Sequence, residues 1–383
     1  MSRRISSLLW GITLLCVFLF VAELWSREKF ADVMPFNGVR DLRLPAVLVT
    51  NHPELGYQFV PNATHFFSSV YDEFQVNYHI NELGLRDSGM LTSGPKQPMV
   101  LTLGGATVEG YGVMRDASFT LEMQRQLRFQ KGVKRFPRIL GAGITGYGAA
   151  QNYLLGKRLI KELQPDLVVF LYSSLMPVYD YRFLKGASLD DDGFALGAPN
   201  NFAAPIHQPV SAGLMDKIKL VQLVKNHFQL RKSRDSITPG DQSSDFFAAA
   251  RDVSESSQKL HERSLKHVAA LADIANANGL DFVFVHMPLA HQVAADEWSI
   301  GRYRNRIDPR LYEPSDPELF REICAKQNAH CFDATNMFRK LASTRSSRVF
   351  FDYDHALTEV GHRALVDFLI DPIRELLGHP IPE

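Results

Sequence analysis

The chain has 383 residues, enough for one large domain or two of ordinary size. Its 45% hydrophobic and 22% charged residues are ordinary for a globular protein. Lys plus Arg and Asp plus Glu each total 42, so no net field draws a polyanion. With no zinc-finger spacing and no basic aromatic stripe, nucleic acid is not expected as a partner.

The first predicted element is the uncharged run ISSLLWGITLLCVFLFVA at 5–22. At ~1.5 Å rise per residue it is just long enough to cross a thin hydrocarbon core. Trp10 and Trp25 flank it as interfacial aromatics do, and Arg3 with Arg4 places the N-terminus in the cytoplasm. The residues that follow, ELWSREKF, lack the small-x-small pattern of a cleavage site. The expectation is a retained transmembrane anchor over 1–26, with everything after about residue 27 outside the cytoplasm. In a bacterium that is a single-pass inner-membrane protein with a periplasmic domain.

Residues 27–97 include HPELGYQFVPNATHFFSSVYDEFQVNYHINELGLRD, aromatic and partly alternating. They predict short strands, a β-rich lead-in. From residue 98 the chain alternates strand and helix. Apolar strands are predicted at 98–105, 135–143, 165–174 and 280–287, and another in HCFDAT. Helices are predicted at 117–129, 149–163, 265–279, 317–327 and 359–376. Such alternation implies an α/β domain over 98–383, a parallel sheet covered on both faces, with any site at the C-terminal strand ends. An insertion at about 178–250 interrupts it. Within it, 213–230 predicts a helix, and SRDSITPGDQSSD predicts a mobile loop.

Chemistry points to a few places. VLTLGGATVEGYGV at 100–113 reads as a strand entering a tight turn before a helix, where hydrolases expose a nucleophile near a helix N-terminus. Ala106 stands there, without a nucleophilic atom. FFDYDHALTEVGHRAL at 350–365 sets Asp352 three residues before His355, where a carboxylate can bond imidazole Nδ1 and fix its tautomer. Thr358 and Glu359 suit a helix start.

These segments resemble the SGNH or GDSL-type hydrolases, which combine a first-strand Gly-Asp-Ser or Gly-Gly-Ser, a Gly after the second strand, an Asn after the third and a late Asp-x-x-His. LGGATVEGYGV, LGAGITGYGAAQ, PDLVVFLYSSLM and DYDHALTEVGHRAL follow that order. INELGLRD at 80–87 is similar to a segment of the membrane-anchored bacterial branch. The resemblance implies a three-layer, flavodoxin-like SGNH hydrolase fold. It puts the nucleophile at Ala106, an oxyanion donor at Gly146, the acid–base pair at Asp352 and His355, and the oxyanion Asn near Ser174, Leu175 or Met176, none of which is Asn.

A nucleophile and one oxyanion donor are therefore missing. A single donor is worth ~10²–10³ in rate. The expected function is non-catalytic: binding a ligand, or serving as an accessory subunit of an envelope or polysaccharide-modifying assembly. The alternative is an esterase or O-deacetylase on acylated glycans or lipids, with Ala106 replacing a native Ser. A third is an acyltransferase partner that holds an acylated chain without cleaving it. Thr107 should point away from the turn, and Ser173 and Ser174 should satisfy backbone groups. Asp352, Asp354, His355, His362 and Glu109 match no metal-ligand spacing, so neither metal nor cofactor is expected. His286 and His291 reach the functional edge, where closing a strand-end hydrogen bond outweighs touching a ligand. Tyr172, Tyr179 and Tyr181 line a cleft or pack. Asp190, Asp191 and Asp192 read as a solvated loop. Cys324 and Cys331 either pair or stay buried thiols.

Overall fold

Five apolar runs after residue 97 pair into one parallel sheet: Met99–Gly104, Arg138–Gly143, Leu167–Ser173, Asp281–Met287 and His330–Asp333. Counted along the chain, the strands lie in the order 2-1-3-4-5, the flavodoxin-like doubly wound arrangement. The computed structural model describes residues 2–29, 44–69, 73–87, 97–128, 136–200, 202, 206–207, 218, 220–221, 223–224, 255–305, 317–344 and 347–378.

Strand position follows composition. LVVFLYS at Leu167–Ser173 pairs on both sides and is buried through its first six residues. A strand covered on both faces has no polar side to show. Alternate residues feed two cores. Leu101, Leu103, Phe170 and Phe284 pack with Leu155, Leu159, Val268 and Leu271 of the helices Ala149–Leu163 and Glu255–Ala277. Val100, Val169, Leu171 and Val285 pack with Phe119, Met123, Leu365 and Leu369 of the helices Phe119–Arg128 and Glu359–Leu376. The expected three-layer α/β architecture is present.

Ahead of the sheet lie two hairpins, Val49–His52 with Gly56–Phe59 and Thr64–Ser68 with Gln75–His79. Leu44–Pro45 pairs in parallel with Ile206–His207. Along Gln75–His79 burial alternates with the pleat, sending Val76 and Tyr78 inward. Phe67, Phe74, Tyr78 and Tyr111 meet there in edge-to-face pairs with centroids 5.3–5.7 Å apart. Residues 41–207 and 243–383 form one compact unit.

The second unit comprises residues 1–40 and 208–242. Its helix Ser2–Lys29 exposes Leu14, Phe18, Phe20 and Trp25. Glu23 pairs with Arg27 at 2.7 Å and accepts the Leu220 amide at 2.8 Å. No helix among the described residues is long and apolar enough to cross a membrane, so the expected transmembrane anchor is not confirmed. Most of the helix expected at 213–230, and all of the loop SRDSITPGDQSSD, lie outside the described residues. Cys324 and Cys331 are joined as a disulfide between the helix Pro317–Lys326 and the fifth strand.

Candidate active site

The sheet reverses order between its first and third strands, and in such folds ligands bind outside the strand ends at that point. A cavity of about 70 Å³ lies there. Ala106 and Thr107 reach it from the first strand, Gly146 from the second, Ser173, Leu175 and Met176 from the third, and Pro288 from the fourth. His355 closes it from the segment before the last helix. Three of the four expected site residues, Ala106, Gly146 and His355, are thus brought together. Thr107 lines the cavity as well, against the expectation that it would point away.

Each turn has a local cause. Gly104 and Gly110 bracket Ala106–Glu109 with positive φ, at 159° and 74°. Gly110 supplies the left-handed cap that L-residues resist. Gly146 also has positive φ, at 84°. Behind both turns lies Glu109, whose buried carboxylate accepts the Tyr78 hydroxyl at 2.7 Å and the Thr145 amide at 2.6 Å. Burial pushes its carboxyl up, against the pull of those two bonds. Arg86 donates to the carbonyls of Glu109 (3.2 Å), Gly110 and Val113 (2.8 Å). Tyr57 donates to the Thr145 carbonyl at 2.7 Å, and the Gly141 amide donates to Asp87 at 2.9 Å. Sequence reasoning missed this support: its members lie between residues 57 and 109, and nothing local in the sequence pairs them.

Asp352 requires a correction. Its carboxylate accepts from Ser299 Oγ at 3.0 Å and lies 3.6 Å from Arg348 Nε; it is not bonded to His355. The backbone bends at 352–354, and Glu73 fixes the bend by accepting the Tyr353 and Asp354 amides at 2.9 and 3.0 Å. That turns the Asp352 side chain toward the start of the helix Ser299–Asn305. His355 packs edge-on against Trp298, with centroids 5.9 Å apart. Burial lowers its pKa to about 4, so it is a neutral imidazole at pH 7.

Of the three positions expected for Asn, Leu175 and Met176 are apolar, and Ser174 is buried and does not line the cavity. Leu175 and Met176 are buried at the cavity, and the Ser173 hydroxyl accepts the Leu175 amide at 3.3 Å. Nearby Asn152 is committed elsewhere: it accepts the Gly104 amide at 3.0 Å and donates to the Gly148 carbonyl at 2.8 Å.

Most other candidates fall outside the cavity. His362 Nδ1 accepts the Phe119 amide at 3.1 Å, starting a helix. Burial, with Arg86 adding to it, lowers its pKa to about 3. His286 meets Asp333 at 3.2 Å, a strand-end contact. His291 is buried beside Trp298. Tyr179 lines the cavity, Tyr172 is buried with its hydroxyl 3.3 Å from His261 Nδ1, and Tyr181 is exposed. Asp190 folds its own loop by accepting the amides of Asp192 and Phe194. Among the described residues no cluster of ligating side chains could hold a metal ion.

No protein-family model matches the chain, and no curated protein matches it. Solved structures similar to it include a catalytic mutant of Axe2, an acetylxylan esterase from Geobacillus stearothermophilus, at 11% identity and a TM-score of 0.38, covering 74% of this chain and 96% of that one. The esterase EstA from Pseudoalteromonas sp. is similar at 10% identity and TM-score 0.36, over 74% and 100% of the two chains. A G-D-S-L family lipolytic protein from Desulfitobacterium hafniense DCB-2 gives 8% and 0.37, over 72% and 99%. The chain resembles an SGNH/GDSL-type hydrolase. Likeness at this level carries nothing about activity, which rests on the residues of the site.

Proposed function

We propose that this protein is a non-hydrolytic SGNH-like protein. In this reading it is held at the inner membrane by its N-terminal helix, with the α/β unit in the periplasm. It serves there as a ligand-binding or accessory subunit of an envelope or polysaccharide-modifying assembly. The observation that carries the reading is the cavity at the switch point. It contains His355 and Gly146, but Ala106 occupies the nucleophile position and Leu175 and Met176 the oxyanion position. A base facing Ala106, with Leu175 and Met176 where the oxyanion donor would stand, supplies neither step of acyl transfer. The cavity's ~70 Å³ also falls well below the ~300–1,000 Å³ of ligand pockets. The Cys324–Cys331 disulfide supports a location outside the cytoplasm, since such bonds persist in oxidising compartments.

One observation favours a second reading, an active esterase or O-deacetylase: Thr107 brings a hydroxyl-bearing residue to the wall that His355 shares. Covalent labelling of the full-length chain by a fluorophosphonate probe separates the two. No labelling is expected. Ala106→Ser should label weakly, and Ala106→Ser with Leu175→Asn more strongly. Strong labelling of the unmodified chain that disappears in both Thr107→Val and His355→Ala would establish the esterase reading. Strong labelling of Ala106→Ser alone would mean that only the nucleophile is missing.

A further inference from the structure

The ligand-sized cavity of this unit is not the one that contains His355. A second cavity, about 440 Å³ in volume, lies on the other side of the segment 350–359, within the size range of ligand pockets. Phe350 and His355 face the small cavity; Phe351 and Glu359 face the large one.

Its walls have a definite chemistry. Phe74 and Phe351 form an aromatic corner, centroids 5.4 Å apart and planes inclined by 49°. The corner closes on Gly112, at φ 78°, where a Cβ would lie 2.7 Å from Phe351 and 3.0 Å from Phe74. Around it stand the carboxyls of Glu73 and Glu359 and the amide of Gln75. Arg348 is the cation among the described lining residues, and it is already engaged, 2.8 Å from Asp296 and 3.6 Å from Asp352. The Glu359 carboxylate at the rim disfavours a phosphate or a carboxylate, because like charges set against one another disfavour the wrong partner; Glu73, raised to about 7 by burial and bonded to the Tyr353 and Asp354 amides, adds less. Amide and carboxyl groups beside an apolar corner suit a ring that carries hydroxyls around its edge and C–H bonds on its face.

We propose that this cavity binds a saccharide unit without an acidic group. Gln75 and Glu359 take its hydroxyls, and Phe351 with Phe74 takes its apolar face. The site lies apart from the Ala106 cavity and stands whether or not that cavity catalyses.

The test is ligand-observed saturation-transfer NMR and titration on the full-length chain in detergent. The probes are the trimers of N-acetylglucosamine, of glucosamine and of galacturonic acid. Saturable binding of a non-anionic trimer at millimolar or lower concentration is expected, with none by the galacturonic acid trimer. Gln75→Ala and Glu359→Ala should each weaken it about tenfold, roughly the loss of one charge-assisted or two ordinary hydrogen bonds. Both change exposed positions, so folding should survive. Ala106→Val, in the small cavity, should leave binding unchanged. Equal or tighter binding of the galacturonic acid trimer would overturn the ligand class, as would no saturable binding by either non-anionic trimer. Loss of binding in Ala106→Val but not in Gln75→Ala would move the site to the small cavity. Fluorophosphonate labelling bears on the non-hydrolytic reading alone, so the two proposals fail separately.

Discussion

Glu73, which holds the 352–354 bend, and His355, the residue after it, have opposite protonation linkages. Burial raises the Glu73 carboxyl from 4.5 to about 7, so between those pH values the folded chain binds the proton more readily than the unfolded one. Its contribution to stability therefore falls as pH rises through that window. Burial lowers His355 from 6.5 to about 4, so the unfolded chain holds that proton longer, and this contribution rises with pH from about 4 to 6.5. The two slopes oppose each other over pH 4.5–6.5. Glu73→Gln keeps an acceptor for one of the Tyr353 and Asp354 amides and removes the falling slope. Thermal melts of that variant should show a steeper gain in Tm from pH 5 to 6.5 than the parent. An identical slope in the two proteins would mean that Glu73 does not titrate as its burial implies.

Among the elements, the helix Phe119–Arg128 depends on a residue more than two hundred positions away. His362 Nδ1 accepts the Phe119 amide, one of the orphan donors of a helix N-terminus. His362→Ala removes the acceptor and leaves a void in a fully buried place. A loss of about 1–3 kcal/mol is expected by urea denaturation, the scale of an unsatisfied buried donor. His362→Asn should restore part of it; equal losses in the two variants would mean that the bond contributes nothing beyond packing. This contact also marks where sequence reading stops. The strands were legible because each is an apolar run such as LVVFLYS, and the turns because Gly104, Gly105 and Gly146 punctuate them. Ala106 and Gly146 follow strands of one parallel sheet, and the cavity at those strand ends is closed by His355 from the segment before the last helix, as its late position in the chain suggested. That Asp352 and His355 do not bond was not legible. Spacing puts the two side chains within reach, but Ser299 and Glu73, which decide where Asp352 points, lie 53 and 279 residues from it in sequence.

For the whole molecule, the proposed anchor and the Cys324–Cys331 disulfide make one prediction. A reporter enzyme active only outside the cytoplasm, fused after Glu383, should be active in a bacterial host. Deleting residues 2–26 should leave the protein in the cytoplasm, with Cys324 and Cys331 open to thiol labelling without prior reduction. An inactive reporter on the full-length chain, or thiols that label equally in both forms, would refute the periplasmic reading.

The residues ahead of the sheet have a practical consequence. Tyr57, Glu73, Tyr78, Arg86 and Asp87 each bond to backbone or side chain within or beside the turns at 106–113 and 144–146 and the bend at 352–354. A gene fragment begun at residue 98 would encode every strand of the sheet and every residue of the small cavity, yet would lack the groups that shape its rim. Anyone who borrows this scaffold, to restore a serine or to graft a new ligand, should carry the stretch from Leu44 onward as part of the recipe.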